Sequence, residues 1–410
     1  MARTPARRFD IVLFGATGFT GRLVAEYLTR RAAGTSLRWA LSGRSTAKLE
    51  QVRSELAAID AAARDLAILE ADCHDQAAID RIARDTRVVC TTVGPYAQHG
   101  VTLVDACARA GTHYCDLAGE VPFIRASIDR NHDEARRTGA RIVHCCGFDS
   151  IPSDLGVLSL QHELTARTGG PAKKITALFG ETKGAFSGGT VASLLGVIDA
   201  AARDRAARKV LGDPYGLDPA GSPRGPDHDV KAPGYDRTLG KVTAPFLMAA
   251  INTRVVRRSH ALLGHPWGTD WSYDERMSLP RSPVGVAAAV AITGALAGFV
   301  AGSQVPWVRK QIEHRLPRPG EGPTADQRAR GHWTVRLYGE NGGKRVVMKL
   351  ADRLDPGYAG TAKLLGESAL CLAEDELATP TGVLTPATAM GLTLVERLRE
   401  AGVTWETSEA

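Results

Sequence analysis

Over its first 150 residues the chain alternates short apolar runs with segments of helical spacing. "FDIVLF" (9–14) is β-branched and aromatic, as a strand buried on both faces requires, and "RLVAEYLTRRA" spaces its apolar residues as a helix with one buried face does. "LRWALSGRS" (37–45) reads as a second strand, and "LAILEAD" and "RVVCTTVGPY" as a third and fourth, with helical patterns between them. A fifth and a sixth fall within "THYCDLAGE" (112–120) and "RIVHCCGFDSIPSDLG" (141–156). Strands that alternate with helices predict a doubly wound parallel sheet for residues 1–150.

Beyond Asp154 the alternation stops, and a second domain of α+β type is expected over 151–359. "KITALFGETKGAFSGGTVASLLGVIDAAAR" predicts a strand, a glycine turn and a helix begun by Thr190. Residues 212–240, rich in Gly, Pro and Asp, predict a long irregular loop that would cover the site as a lid. "WTVRLY" and "RVVMKL", joined through "NGG", predict an antiparallel hairpin, and Thr385 with Pro386 begins a closing helix that ends at Gly402. From Ser282 to Val308 the chain carries no charge, over a length that exceeds the about 20 residues a membrane span needs. Gly294, Gly298 and Gly302 fall there at the spacing that lets helices approach closely, and Trp307 with Arg309 and Lys310 suits a membrane interface. The segment reads as a full span, as a dip into one leaflet with both ends on one side, or as a buried helix of the core or of a dimer contact.

Composition narrows the class. The 51 Lys and Arg against 45 Asp and Glu leave a net charge of +6, and no basic stripe interleaved with aromatics appears, so a nucleic-acid surface is not expected. The seven cysteines are odd in number and contain no C-x-x-C, which argues against a disulfide framework and against a zinc site, and fits a reducing cytoplasm; no metal is expected. The first apolar run is short and leads into a glycine loop without a cleavage site, so no secretion signal is read.

That loop, "GATGFTG", offers Gly15, Gly18 and Gly21 for a tight turn, the close approach of a pyrophosphate and close packing of helix on strand, with Thr17, Phe19 and Thr20 between them. At the end of the second strand Ser42 and Arg44 supply a hydroxyl and a guanidinium with no carboxylate in "SGRS", which selects the 2′-phosphate of NADP(H) over NAD. Ligands of such sheets lie outside the carboxyl ends of the strands. There Gly94 and Pro95 line the exit of the fourth strand, and Tyr96, Asp116, Glu120 and Asp149 are candidate proton donors opposite a hydride. Each has a plainer role open to it: Asp149 or its neighbour Ser150 can cap a helix, and Asp116 and Glu120 can hold backbone N–H groups. Ser187 and Thr190, at the glycine turn of the second domain, are candidate substrate contacts or a simple cap.

Several motifs in one order, "GATGFTG", "VGPY", "CDLAGE", "GFDSIPSDLG", "FSGGTVASLL", "GYAGTAKLLGESALCLA" (357–373) and "GVLTPATAMG" (382–391), resemble the saccharopine dehydrogenase-like oxidoreductases, and within them the actinobacterial trans-acting enoyl reductases. The resemblance runs nearly the whole chain. It implies an N-terminal Rossmann domain, completed by C-terminal helices at about 360–410, and a substrate domain. It also implies NADPH-dependent reduction of an enoyl group on an acyl thioester, free or borne by a carrier protein, during assembly of polyketide-derived lipids. Tyr96 and Asp116 are the first choices for the proton donor, with Glu120 and Asp149 behind them. A cytoplasmic protein is expected, with peripheral contact at the plasma membrane and a homodimer both open. Two other classes stay open: a saccharopine-type oxidoreductase acting on the C–N bond of an amino-acid adduct, and a non-catalytic NADP-binding protein associated with a membrane.

Overall fold

In the computed structural model, described here over residues 7–184, 188–315 and 322–409, the first apolar run is strand β1 (Phe9–Phe14), buried everywhere except at Asp10. It is followed by α1 (Phe19–Ala32), β2 (Trp39–Gly43), α2 (Thr46–Leu56), β3 (Ala67–Glu70), α3 (Gln76–Asp85) and β4 (Thr86–Thr91). Then come α4 (Tyr96–His99), α5 (Val101–Ala110), β5 (His113–Cys115), α6 (Val121–Thr138) and β6 (Arg141–Val143). The six strands lie in the order β6–β5–β4–β1–β2–β3 and every pair is parallel, with Ile11 opposite Trp39 on one side and Val88 on the other. Chain progression reverses between β1 and β4, which opens a crevice above the carboxyl ends of those two strands.

Helix α7 (Ile151–Thr168) leads into the second half, which runs β7 (Lys174–Lys183), α8 (Gly188–Arg203), α9 (Arg205–Gly212), β8 (Gly234–Asp236), β9 (Lys241–Pro245), α10 (Ala249–Leu262) and β10 (Ser272–Leu279). It continues through α11 (Pro283–Gly302), α12 (Pro306–Arg315), α13 (Ala325–Ala329), β11 (His332–Asn341) and β12 (Lys344–Asp352). The chain closes with α14 (Thr361–Glu374), β13 (Gly382–Leu384), α15 (Pro386–Ala389), α16 (Gly391–Glu400) and β14 (Thr404–Glu409). The second sheet has the order β14–β12–β11–β7–β10–β9–β8 and is mixed, since β7 and β10 pair in parallel and the other pairs are antiparallel. The expected hairpin is β11–β12, and its turn needs glycine: Gly342 and Gly343 take φ of 58° and 76°.

The C-terminal stretch belongs to both sheets. Helix α14 is buried along its length from Thr361 to Ala373 and packs on β1, β4, β5 and α1, where Gly366 leaves room for the ring of Tyr27. Strand β13 adds to the first sheet beside β6, whereas β14 pairs with β12 at the edge of the second sheet. One apolar core therefore joins Ile11 and Leu13 of β1 to Val335 and Leu350 of the hairpin.

The loop expected to act as a lid is instead pinned to α10. Arg254 holds Asp229 at 3.0 Å, Arg257 holds Asp227 at 2.6 Å and the Pro214 carbonyl at 3.1 Å, and Arg258 reaches the Leu217 carbonyl. Three buried guanidiniums make a fixed strap of it.

Candidate active site

The glycine loop closes tightly between β1 and α1. A Cβ on Gly15, whose φ is 93°, would sit 2.5 Å from Val93 Cγ2, and one on Gly21 would sit 2.1 Å from the Gly15 carbonyl oxygen. No larger residue fits either place, and at Gly18 the first turn of α1 opens with no side-chain cap. Backbone N–H groups and space are therefore what the loop offers, as a pyrophosphate cradle requires. Thr17 lies over Gly43. Arg44 stands exposed at the end of β2 and makes no ion pair among the described residues, while its charge acts on Asp72 at the end of β3. The contact expected from the Ser42 hydroxyl is taken elsewhere: Ser42 is fully buried and donates to the Leu69 carbonyl at 2.8 Å. Its own carbonyl accepts from the N–H groups of Gly15 and Ala16 at 2.9 and 3.1 Å, so Ser42 shapes the loop.

Beside the loop lies a cavity of about 1150 Å³ between the two halves. Its floor is Gly18–Gly21, Gly94, Pro95, Tyr96 and the loops after β5 and β6. Its far walls are apolar: Phe179 and Met277 from the second sheet, Phe246, Met248 and Ile251 around the start of α10, and Ile292 and Leu296 of α11. Thr190 of α8 lines it too, whereas Ser187 lies outside the described residues.

The four candidate acids separate by their surroundings. Asp116 does not line the cavity. Its Oδ1 accepts from the N–H groups of Ala118 and Cys145 at 2.9 and 3.2 Å, and its Oδ2 is bonded to the Tyr114 hydroxyl at 2.9 Å and His144 Nδ1 at 2.7 Å. Four partners around a wholly buried carboxyl tie the exits of β5 and β6 together. Glu120 is buried as well; it accepts the N–H groups of Tyr96 and Ala97, each at 2.8 Å, and the Ser193 hydroxyl of α8 at 2.8 Å, so it caps α4 and latches the second half to the first. Tyr96 lines the cavity, but its hydroxyl accepts from the Leu117 N–H at 3.2 Å and donates to the Thr91 carbonyl at 3.4 Å; burial beside Asp116 holds its pKa well above 10.

Asp149 differs from all three. It lines the cavity, is half-buried, and has no hydrogen-bond partner among the described residues. Desolvation alone lifts its pKa from 3.8 to about 6. It does not cap α7; that position is held by Ser150, whose hydroxyl turns away to Asn252 Oδ1 at 3.0 Å. Asn252 donates on to Glu275, which also accepts from the Tyr273 hydroxyl, so a buried polar network underlies the Asp149 loop.

One cluster escaped the sequence reading, which expected no metal. Cys73, His74 and His99 bring Sγ, Nε2 and Nδ1 within 4.8 Å of one another, with Sγ···Nδ1 of 3.7 Å and Nδ1···Nε2 of 3.3 Å. Such a set could hold a transition-metal ion. No local motif announces it, because the third ligand comes from α4, on the far side of β4 in the chain.

Residues 11–143 match the family model of the saccharopine dehydrogenase NADP binding domain. A trans-acting enoyl reductase of Mycobacterium ulcerans (strain Agy99) is 42% identical over 416 residues, 97% of this chain and 97% of its own. Another, from Mycobacterium tuberculosis (strain ATCC 25618 / H37Rv), is 41% identical over 425 residues, 99% of each. The chain belongs to the trans-acting enoyl reductase family. The fold of this family member is shared with apo saccharopine dehydrogenase (L-Glu forming) of Saccharomyces cerevisiae, which superposes with a TM-score of 0.54 at 12% identity over 98% of this chain and 99% of that one. With the NADP-binding domain matched and the cradle fitted to a pyrophosphate, this trans-acting enoyl reductase homologue is an NADP-dependent oxidoreductase.

Proposed function

We propose that this protein reduces the carbon–carbon double bond of a long-chain α,β-unsaturated acyl thioester during lipid biosynthesis in the cytoplasm. The observation that carries the reading is the cavity: a mostly apolar chamber that meets the glycine loop and holds a single carboxyl, Asp149, among its described residues. Among those residues there is no Lys or Arg and His314 is the single basic side chain, so the two or more carboxylates of an amino-acid adduct would lack the set of cations they need, which speaks against saccharopine-type chemistry. The seven unpaired, buried cysteines suit a reducing compartment.

NADPH supplies, when bound, the hydride that adds to the β-carbon and leaves an electron pair shared between the α-carbon and the thioester oxygen. Gly15, Gly18 and Gly21 hold its pyrophosphate and Arg44 its 2′-phosphate. Asp149, protonated over much of the acid side of neutrality, delivers a proton to the α-carbon and recovers one from solvent through the cavity. Tyr96 fixes the floor beside it, and Asp116 and Glu120 act as positioning residues that hold the strand exits and α4 in place. Thr190 and the start of α8 contact the substrate from the second half.

The test is to follow NADPH oxidation with a long-chain enoyl thioester in one arm and a glutamate–semialdehyde mixture in the other. Turnover is expected with the thioester alone. Turnover only with the amino-acid pair would overturn the reading.

A further inference from the structure

Helix α11 has the wrong surface for a helix in water. It packs on β9 and β10 through Gly285, Ala289 and Ile292, where a Cβ on Gly285 would overlap the Pro280 carbonyl, and Ser282 caps it by accepting the Gly285 N–H at 3.1 Å. Every exposed position from Val284 to Ala301 is Val, Ala or Gly, and the helix buries little of itself: Val284 is 78% exposed and Val290 58%. A solvated helix would carry charge on that face. Among the described residues it is the one helix long and apolar enough to cross a bilayer. Both its ends, however, are fixed to the same body, the first to β10 and the second, through Arg309 of α12, to Asp199 of α8.

The two ends carry matching anchors. At the first, Arg281 lies over the Tyr235 ring at 5.4 Å, and exposed Lys241 follows β8 beside it. At the second, Trp307 is 71% exposed and is followed by exposed Lys310. An aromatic ring with a cation at each end of an apolar stretch about 30 Å long is the arrangement that holds a helix flat in the boundary between lipid headgroups and acyl chains. The cations select an anionic surface. A second copy of the chain would bring the same cations against each other.

We infer that α11 docks the protein on an anionic bilayer and admits the acyl chain of its substrate from the leaflet into the cavity. The inference rests, for its second half, on the cavity holding an acyl substrate. Ile292 and Leu296 line that cavity from the inner face of α11, while Val290 and Val300 on the same helix face outward, so one helix separates lipid from site. A chain leaving the bilayer along its edge would never cross water.

The experiment floats the full-length protein with phosphatidylcholine vesicles, with and without phosphatidylglycerol, and compares the wild type with Val290→Asp/Val300→Asp and the milder Val290→Ser. Neither position touches the cavity. The wild type should float with the anionic vesicles and several-fold less with the neutral ones, and the double variant should lose at least ten-fold of its flotation. On a water-soluble short enoyl thioester the double variant should turn over like the wild type; on a long-chain enoyl thioester dissolved in the vesicles its rate should fall about ten-fold. A wild type that stays in solution, or a double variant that floats equally, overturns the inference. So does a dimer, seen by light scattering, that the double variant splits while nothing floats. Flotation with no turnover of either thioester would leave the docking standing and defeat the enoyl reading instead.

Discussion

At the scale of single residues, hydrogen-bond saturation separates the acids that hold the site from the one free to act. Asp116 and Glu120 spend their oxygens on neighbours, so their replacement disturbs loops, whereas Asp149 lines the cavity and has a pKa raised to about 6 by burial. A donor must be protonated, so activity should hold below about pH 6 and fall towards ten-fold per unit above it. Asp149→Asn should lower kcat at least 100-fold with little change in the affinity for NADPH. Stability should fall with pH over a neighbouring range. With its folded pKa above the unfolded value of 3.8, Asp149 favours the native state below about pH 4 and loses that advantage as pH rises through about 6. The Asn variant, which has no proton to lose, should therefore be more stable than the wild type at pH 8, by about 1–2 kcal/mol. A thermal melt at two pH values beside a pH–rate profile checks both signs, and a variant of full activity would remove Asp149 from the mechanism.

At the scale of elements, the strands and the hairpin were legible because their signals are local: β1 and β2 are short, mostly apolar and almost wholly buried runs, and "NGG" supplies the two positive φ angles that its turn demands. The glycine loop was legible for the same reason. What was not legible depends on partners distant in the chain. The strap over 213–233 has the Gly, Pro and Asp of a loose loop, yet the arginines that pin it sit on α10, and nothing in its own composition names them. Candidate acids share this limit, since Asp116 is saturated by His144 and Cys145 from the next strand exit, whereas Asp149 faces a cavity whose other walls come from the second half of the chain. The network under α7 gives a second measurable consequence. Glu275 is buried between Tyr273 and Asn252, and burial, partly offset by those bonds, raises its pKa from 4.5 to about 7. Its contribution to stability is fully present below about pH 4.5 and is lost as pH rises through 7. Glu275→Gln should flatten this part of the fall in melting temperature between pH 5 and 8, and an identical fall in both proteins would show that the carboxyl does not titrate across that range.

At the scale of the whole molecule, the cavity exists because neither half closes on its own. The first sheet presents the glycine loop and Asp149; the second presents Phe179, Met277 and the inner face of α11; the chain threads back through α14 and β13 before ending on the opposite sheet at β14. Glu120 bonded to Ser193 then fixes the distance between the reacting floor and the apolar walls. The walls have no chemistry to perform, so their effect should be read in binding, and it should grow with each carbon they cover. Burying one methylene is worth about 0.8 kcal/mol, a factor of about four in affinity. Across a series of enoyl thioesters of rising chain length, kcat/KM should therefore climb by up to about four-fold per carbon until the part of the chamber that the cofactor leaves open is filled, while kcat itself changes little. Replacing Phe179 or Met277 by Ala should flatten the climb without altering the rate on the shortest member of the series, because those side chains meet the chain and not the double bond. A series whose kcat/KM is level from the shortest substrate upward would mean that the acyl chain lies outside the chamber, and with it the reason for an apolar wall so close to a carboxyl that must keep its proton.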